Sequence, residues 1–155
     1  NELKQFSEEI IDTCILKVKR NDDKGTIFYK GGQIINASID KKFGKNQADE
    51  ILNWKDAEYE KIKIDSVTKF VSEDLRLIFD IIEFIGISAD IYIKYKNDML
   101  VLSFSEGCLV SVLPEAAVSK EFIIELISLK DQKIKMKLTG EKTGDIKVFI
   151  SELLS

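Results

Sequence analysis

The chain repeats its own pattern of apolar and polar residues 75 positions on, and this limits the fold more than any other feature. Leu16–Asp56 can be laid without a gap over Ile91–Asp131. Gly32 then falls on Gly107, Ile34-Ile35 on Leu109-Val110, and Ala37 on Val112. Glu50 meets Glu125, Ile51-Leu52 meet Leu126-Ile127, Trp54 meets Leu129, and Lys55-Asp56 meet Lys130-Asp131. Identities are few, but the residue classes stay in step across two strands, a turn and a helix. A unit this small is marginal alone, so two tandem copies that pack together are expected. The repeat speaks to organisation and says little about chemistry.

Within the first copy, residues 2–12 read as a short amphipathic helix carrying Leu3, Phe6, Ile10 and Ile11. Residues 14–20 alternate with period two, Asn21–Gly25 is a polar turn, and Thr26–Tyr29 returns as a strand. Lys30-Gly31-Gly32 is a second turn before Gln33–Ile39, which completes a three-stranded antiparallel meander. Asn46 is the expected N-cap of a helix bearing Ala48, Ile51 and Leu52, and Glu58–Ile64 the fourth strand.

Val67, Phe70, Val71, Leu75, Ile78, Ile81, Ile82 and Ile85 keep helical spacing. They predict a long connector helix over 66–86, touching both copies and ended by Gly86. Ser72-Glu73-Asp74 offers an alternative restart of a second helix. The second copy then runs through strands at 90–96, 99–105 and 108–113. Pro114 breaks the sheet, Ser119 caps a helix, and Ile134, Met136 and Leu138 alternate in the last strand. Residues 146–154 close the chain as a helix, with a short strand as the alternative. The expected class is α+β, with seven or eight strands and three to five helices. The divisions are 1–64 for the first unit, 65–88 for the connector helix and 89–155 for the second unit with its C-terminal helix.

Composition narrows function mainly by exclusion. A hydrophobic fraction of 45% with 32% charge is that of a globular protein with a core. A net charge of −4 without a basic run gives no electrostatic reason for nucleic acid or an anionic membrane. Histidine is absent, which removes the commonest general base and metal ligand. Cys14 and Cys108 lie far apart in apolar surroundings and read as buried free thiols of a reducing cytoplasm. The most apolar stretch, 75–87, is interrupted by Arg76, Asp80 and Glu83, so no transmembrane span is expected. The first residue is Asn rather than Met, as in a piece of a longer polypeptide.

The run Gly25-Thr-Ile-Phe-Tyr-Lys-Gly-Gly32-Gln-Ile-Ile-Asn-Ala37, followed by Gly44, Ala48, Ile51-Leu52-Asn53-Trp54 and Tyr59, resembles the PATAN family. That is the PatA N-terminal-type domain found beside receiver domains in bacterial response regulators. Ser72–Asp80 is similar to the Leu-rich helix that follows in that family. The resemblance covers roughly the first half. Ala57 departs from it, standing where the family has Gly, and the second half has no counterpart of Gly44 or Trp54. The resemblance implies protein–protein contact in signalling, with no catalytic residues to carry over.

Local motifs add no chemistry. Gly31-Gly32 lies between strands rather than before a helix, so it is a hairpin turn and not a phosphate cradle. Asp22-Asp23 sits in a turn between Arg20 and Lys24, unlike a phospho-acceptor pocket. Glu8-Glu9 and Glu73-Asp74 are neighbours that diverge by about 100° on a helix and cannot converge on one substrate. Three aromatic residues are the candidates for partner binding. Trp54, the only Trp, is either an interface anchor or core. Phe43 lies in the polar loop Lys41-Lys42-Phe43-Gly44-Lys45. Tyr92 lies on the lysine-bearing face of its strand.

The expected function is therefore a non-enzymatic protein–protein interaction module of bacterial signalling, with no cofactor or metal. Its partner would be a protein, for example a receiver domain in cis or in trans. The chain would act as a monomeric pseudo-dimer or a homodimer, and coupling would run through the connector helix. The alternative is a small-ligand sensor with a pocket between sheet and helix.

Overall fold

The computed structural model describes residues 2–40 and 42–155. The chain divides into two compact units, Asn1–Ile64 and Asp65–Ser155. The first contains α1 (Glu2–Glu8), β1 (Cys14–Arg20), β2 (Asp23–Lys30), β3 (Gln33–Ile39), β4 (Lys42–Phe43), α2 (Gln47–Leu52) and β5 (Glu58–Lys63). Its antiparallel sheet runs β4-β3-β2-β1-β5. Alternation along the strands sends Leu16, Val18, Ile27, Tyr29 and Ala37 to one face. There they pack with Leu3, Ile10, Ala48, Ile51 and Trp54 from the helices and loops. Burying each large side chain contributes about 1.5–3 kcal/mol before entropy is counted.

The second unit contains β6 (Val67–Val71), a 3₁₀ turn at Ser72–Asp74, α3 (Leu75–Ile85), β7 (Ala89–Tyr95) and β8 (Asp98–Ser105). It continues with β9 (Cys108–Leu113), α4 (Lys120–Ile127), β10 (Lys133–Leu138) and α5 (Ile150–Leu154). Its antiparallel sheet runs β6-β10-β7-β8-β9.

The 75-residue repeat of the sequence is a repeat of structure, down to its irregularities. Cys14 pairs with Lys63 and Ala89 with Leu138. Register slips between Phe28 and Tyr29 in one sheet and between Ser103 and Phe104 in the other. β1 and β7 share one order of buried and exposed positions. Asp56 and Asp131 both take left-handed backbone, at φ 56° and 57°. The hairpin turns Gly31-Gly32 and Glu106-Gly107 likewise have two positive φ values each, as a two-residue hairpin requires.

The long connector helix over 65–88 is not present. Val67–Val71 is instead a strand, burying Thr68 and Phe70 and exposing Val67, Lys69 and Val71. It pairs with β10 over five residues, which satisfies backbone groups that a helix would have satisfied internally. Helix begins only at Leu75, after the 3₁₀ turn. It ends where Gly86, at φ 73°, donates to the Ile82 carbonyl. α3 therefore precedes β7 as α1 precedes β1, and it belongs to the second unit as its own first helix.

Smaller expectations divide. Ser119 caps α4, its hydroxyl accepting from the Phe122 amide at 3.2 Å. Asn46 makes no side-chain cap, because its own backbone is already helical. The closing segment is helical only at its end and contains an isolated bridge rather than a strand. Val148 bridges to Leu109 on the outer edge of β9, and α5 follows at Ile150. Ten strands are present among the described residues, β4 and β6 being the ones the periodicity did not show.

Candidate functional site

The three aromatic candidates have different fates. Trp54 is in the core of the first unit, 3% exposed. Its indole fits because Gly25 has no side chain. A Cβ there would lie 2.8 Å from Ile51 and 3.2 Å from the Trp54 ring. The Arg20 guanidinium stacks 4.7 Å from the ring centroid. Phe43 is on the two-residue edge strand β4, opposite Ser38, and is 39% exposed. Lys41, in the same loop, lies outside the described residues. Tyr92 is half-buried and faces Lys135 across the β7–β10 pair, with the ammonium 4.7 Å from the ring. Trp54 and Phe43 belong to the first unit and Tyr92 to the second.

A groove of 590 Å³ opens in the first unit along α1, β3 and α2. Lys4, Ser7, Glu8, Gln33, Lys45 and Leu52 line it, and Tyr29 reaches it from the core. The Tyr29 hydroxyl bonds to Ser7 Oγ at 2.6 Å, so the buried phenol is satisfied. Burial raises its pKa above the ordinary phenol value. A recess of 310 Å³, lined by Ile34, Lys45, Asn46, Ala48 and Asp49, shares two of its residues with that groove. The lining carries both signs of charge and wide access to solvent.

A second constellation was not visible in the sequence. Asp90 is 9% exposed on β7. Its Oδ1 accepts from Ser103 Oγ at 2.7 Å and from Lys142 Nζ at 2.5 Å. The Lys142 amide donates to Ser105 Oγ at 3.0 Å. Serine, lysine and aspartate together could suggest an activated nucleophile. The geometry gives another role. Both donors converge on one carboxylate oxygen: Lys142 Nζ forms an ion pair with Asp90, and the Ser103 hydroxyl donates to the same atom. The cluster fastens the segment after β10. That segment continues to Ile146 and Val148, whose amides donate to Val110 and Leu109. Asp90 faces Ser103 in register, so strand alternation could have paired these two; nothing local points to Lys142.

Packing shifts several other titratable groups. Burial, with help from the Asp12 carboxylate, pushes the Cys14 thiol up to about 12. Cys108 is also raised by burial, and both thiols are free. Asp80 on α3 is raised to about 6 by burial, against the opposing pull of Arg76 at 3.5 Å. The Lys61 ammonium, 3.2 Å away, lowers Asp12. Among the described residues no group of three or more acidic or Cys side chains is placed to hold a metal ion. Nor is any described helix long and apolar enough to cross a membrane. No protein-family model, curated protein or solved structure matches the chain.

Proposed function

We propose that the chain is a non-enzymatic protein-interaction module of a bacterial signalling protein, of the kind that works beside a receiver domain in cis or in trans. The observation that carries this reading is Phe43. An aromatic side chain sits exposed on a two-residue edge strand, two residues before the groove-lining Lys45. Large aromatic side chains bordering charged, open relief are typical anchors of protein interfaces. The likeness of residues 25–59 to PATAN domains supplies the signalling context. A cytoplasmic setting agrees with two free, buried thiols.

The test is a photo-crosslinking residue at position 43 of the full chain in its source cell, with position 22, in an exposed turn, as the control. A discrete protein adduct at 43 and none at 22 is expected. Equal labelling at both positions would overturn the reading.

The groove of 590 Å³ favours a second reading, a small-ligand sensor, because a buried hydroxyl pair, Ser7 and Tyr29, lies along it. Such a ligand would raise the thermal midpoint of the wild type and not that of Ser7→Leu.

A further inference from the structure

The two sheets end differently at one equivalent edge. In the second unit β6 closes the outer edge of β10, with Ile134 opposite Phe70, Lys135 opposite Lys69, Met136 opposite Thr68 and Lys137 opposite Val67. β5 stands in the place of β10, paired to β1 in the matching register. No described strand pairs with its other side. Glu58, Glu60, Lys61 and Lys63 are exposed along it.

The phase of the open edge follows from the ladder. The Ile64 amide donates inward to Thr13, as Thr139 donates to Ser88. One residue earlier, Leu138 donates outward to Ser66, which precedes β6. Backbone groups alternate along a strand, so those of Tyr59, Lys61 and Lys63 point off the open edge. Six residues without Pro or bulge leave this edge able to take another strand.

The geometry points to an antiparallel strand from a protein partner docking on β5, with a basic residue opposite Glu60, an aliphatic one opposite Ile62 and an aromatic one opposite Tyr59. The pattern is that of β6 carried over to the other unit. On β10, Lys69 faces the like charge of Lys135 and Val67 faces Lys137. On β5 the same positions would face Glu60 and Ile62, a better match in charge and in apolar character. A second copy of β5 fits poorly. Only residues of equal phase can face each other, so the best-overlapped registers set Glu60 against Glu60 or Lys61 against Lys61. Main-chain bonds would supply affinity and alternate side chains the specificity. The site rests on the reading of the chain as an interaction module and names the chemistry of its partner.

The test uses the full chain and a capped peptide with the sequence of residues 66–72, Ser-Val-Thr-Lys-Phe-Val-Ser. Amide resonance shifts on titration should centre on β5 and β1. Glu60→Lys should weaken binding roughly 3–10-fold, and a peptide with Glu in place of its Lys should recover it. Lys61→Pro, which removes an outward amide, should abolish binding while Trp54 fluorescence stays native; Lys61→Ala controls for the ion pair with Asp12. Shifts centred on β10, indifference to Glu60→Lys, or no saturable binding would overturn the proposal. If the edge takes no peptide but crosslinks still form at position 43, the edge site falls and the interaction reading stands. If crosslinking fails as well, both fall.

Discussion

The amide of Gly32 donates to the carbonyl of Asp12 at 3.0 Å, and 75 residues on Gly107 donates to Ile87 at 3.1 Å. Each glycine closes a hairpin turn against the segment that follows its unit's first helix. Their φ values are 83° and 89°, and a Cβ at Gly32 would lie 2.6 Å from the Ile10 carbonyl. At Gly107 the nearest carbonyls, of Ile82 and Glu83, are 3.2 Å away. Gly32→Ala should therefore cost more than Gly107→Ala, about 2–4 against about 1–2 kcal/mol. Urea unfolding checks this, because the single Trp, Trp54, reports on the first unit while circular dichroism reports on both.

Asp80 gives the second unit a pH signature. Burial disfavours its charge and pushes the carboxyl up to about 6 in the folded chain from an ordinary 3.8. A raised acid contributes stability that is complete below about pH 3.8 and is lost as pH rises through about 6. Asp80→Asn removes that loss. Its advantage over the wild type should be negligible near pH 3.5 and grow to roughly 1–3 kcal/mol by pH 7.5. Denaturant midpoints of both proteins across that range check the sign.

The segment after β10 should loosen when its anchors are cut. Lys142→Met leaves the Asp90 carboxylate with the Ser103 hydroxyl as its remaining side-chain donor among the described residues. Lys142 is a third exposed, so solvent takes up part of the cost, and about 1–2 kcal/mol is expected. Gly144 is tighter still, since a Cβ would sit 2.0 Å from the Val110 carbonyl oxygen. Gly144→Ala should speed hydrogen exchange at the Ile146 and Val148 amides and leave β1–β5 unchanged.

Both thiols should be inert in the folded chain. Cys14 is pushed up to about 12 and Cys108 is raised, each mainly by burial, so the reactive thiolate is scarce at pH 8. A disulfide reagent should titrate two thiols rapidly in denaturant and react slowly without it. Rapid native labelling at Cys14 would contradict its packing in the first core.

What the sequence made legible was what local pattern controls. Strand alternation set the two meanders, Ser119 announced its helix, and Gly86 its helix end. β6 escaped because Val67-Thr68-Lys69-Phe70-Val71 satisfies two periods at once. Its apolar residues stand at i, i+3 and i+4, as on a helix, while its buried ones, Thr68 and Phe70, alternate as on a strand. Only the edge of β10, more than 60 residues away, decides between them. Lys142 and Asp90 were hidden for the same reason, being brought together by tertiary structure and by no spacing. The groove has no sequence signature, since its lining comes from α1, β3 and α2 in ordinary polar residues.

Trp54 offers the most direct trial of the repeat as a packing solution. The first unit combines Gly25 with Trp54; the positions 75 residues on carry Leu100 and Leu129. The first copy sets a residue without a side chain against a very large one, whereas the sequence of the second has two side chains of middle size at the equivalent positions, a volume-conserving exchange if the two sites share one space. Trp54→Leu alone should leave a void beneath Arg20 and cost about 2–4 kcal/mol. Gly25→Leu alone should drive its Cβ into Ile51, already within 2.8 Å, and cost about 1–3 kcal/mol. Made together, they should cost less than their sum, with a favourable coupling of about 1–2 kcal/mol. Strict additivity in the double-mutant cycle, followed by circular dichroism because the Trp is gone, would show that the two positions do not share one space.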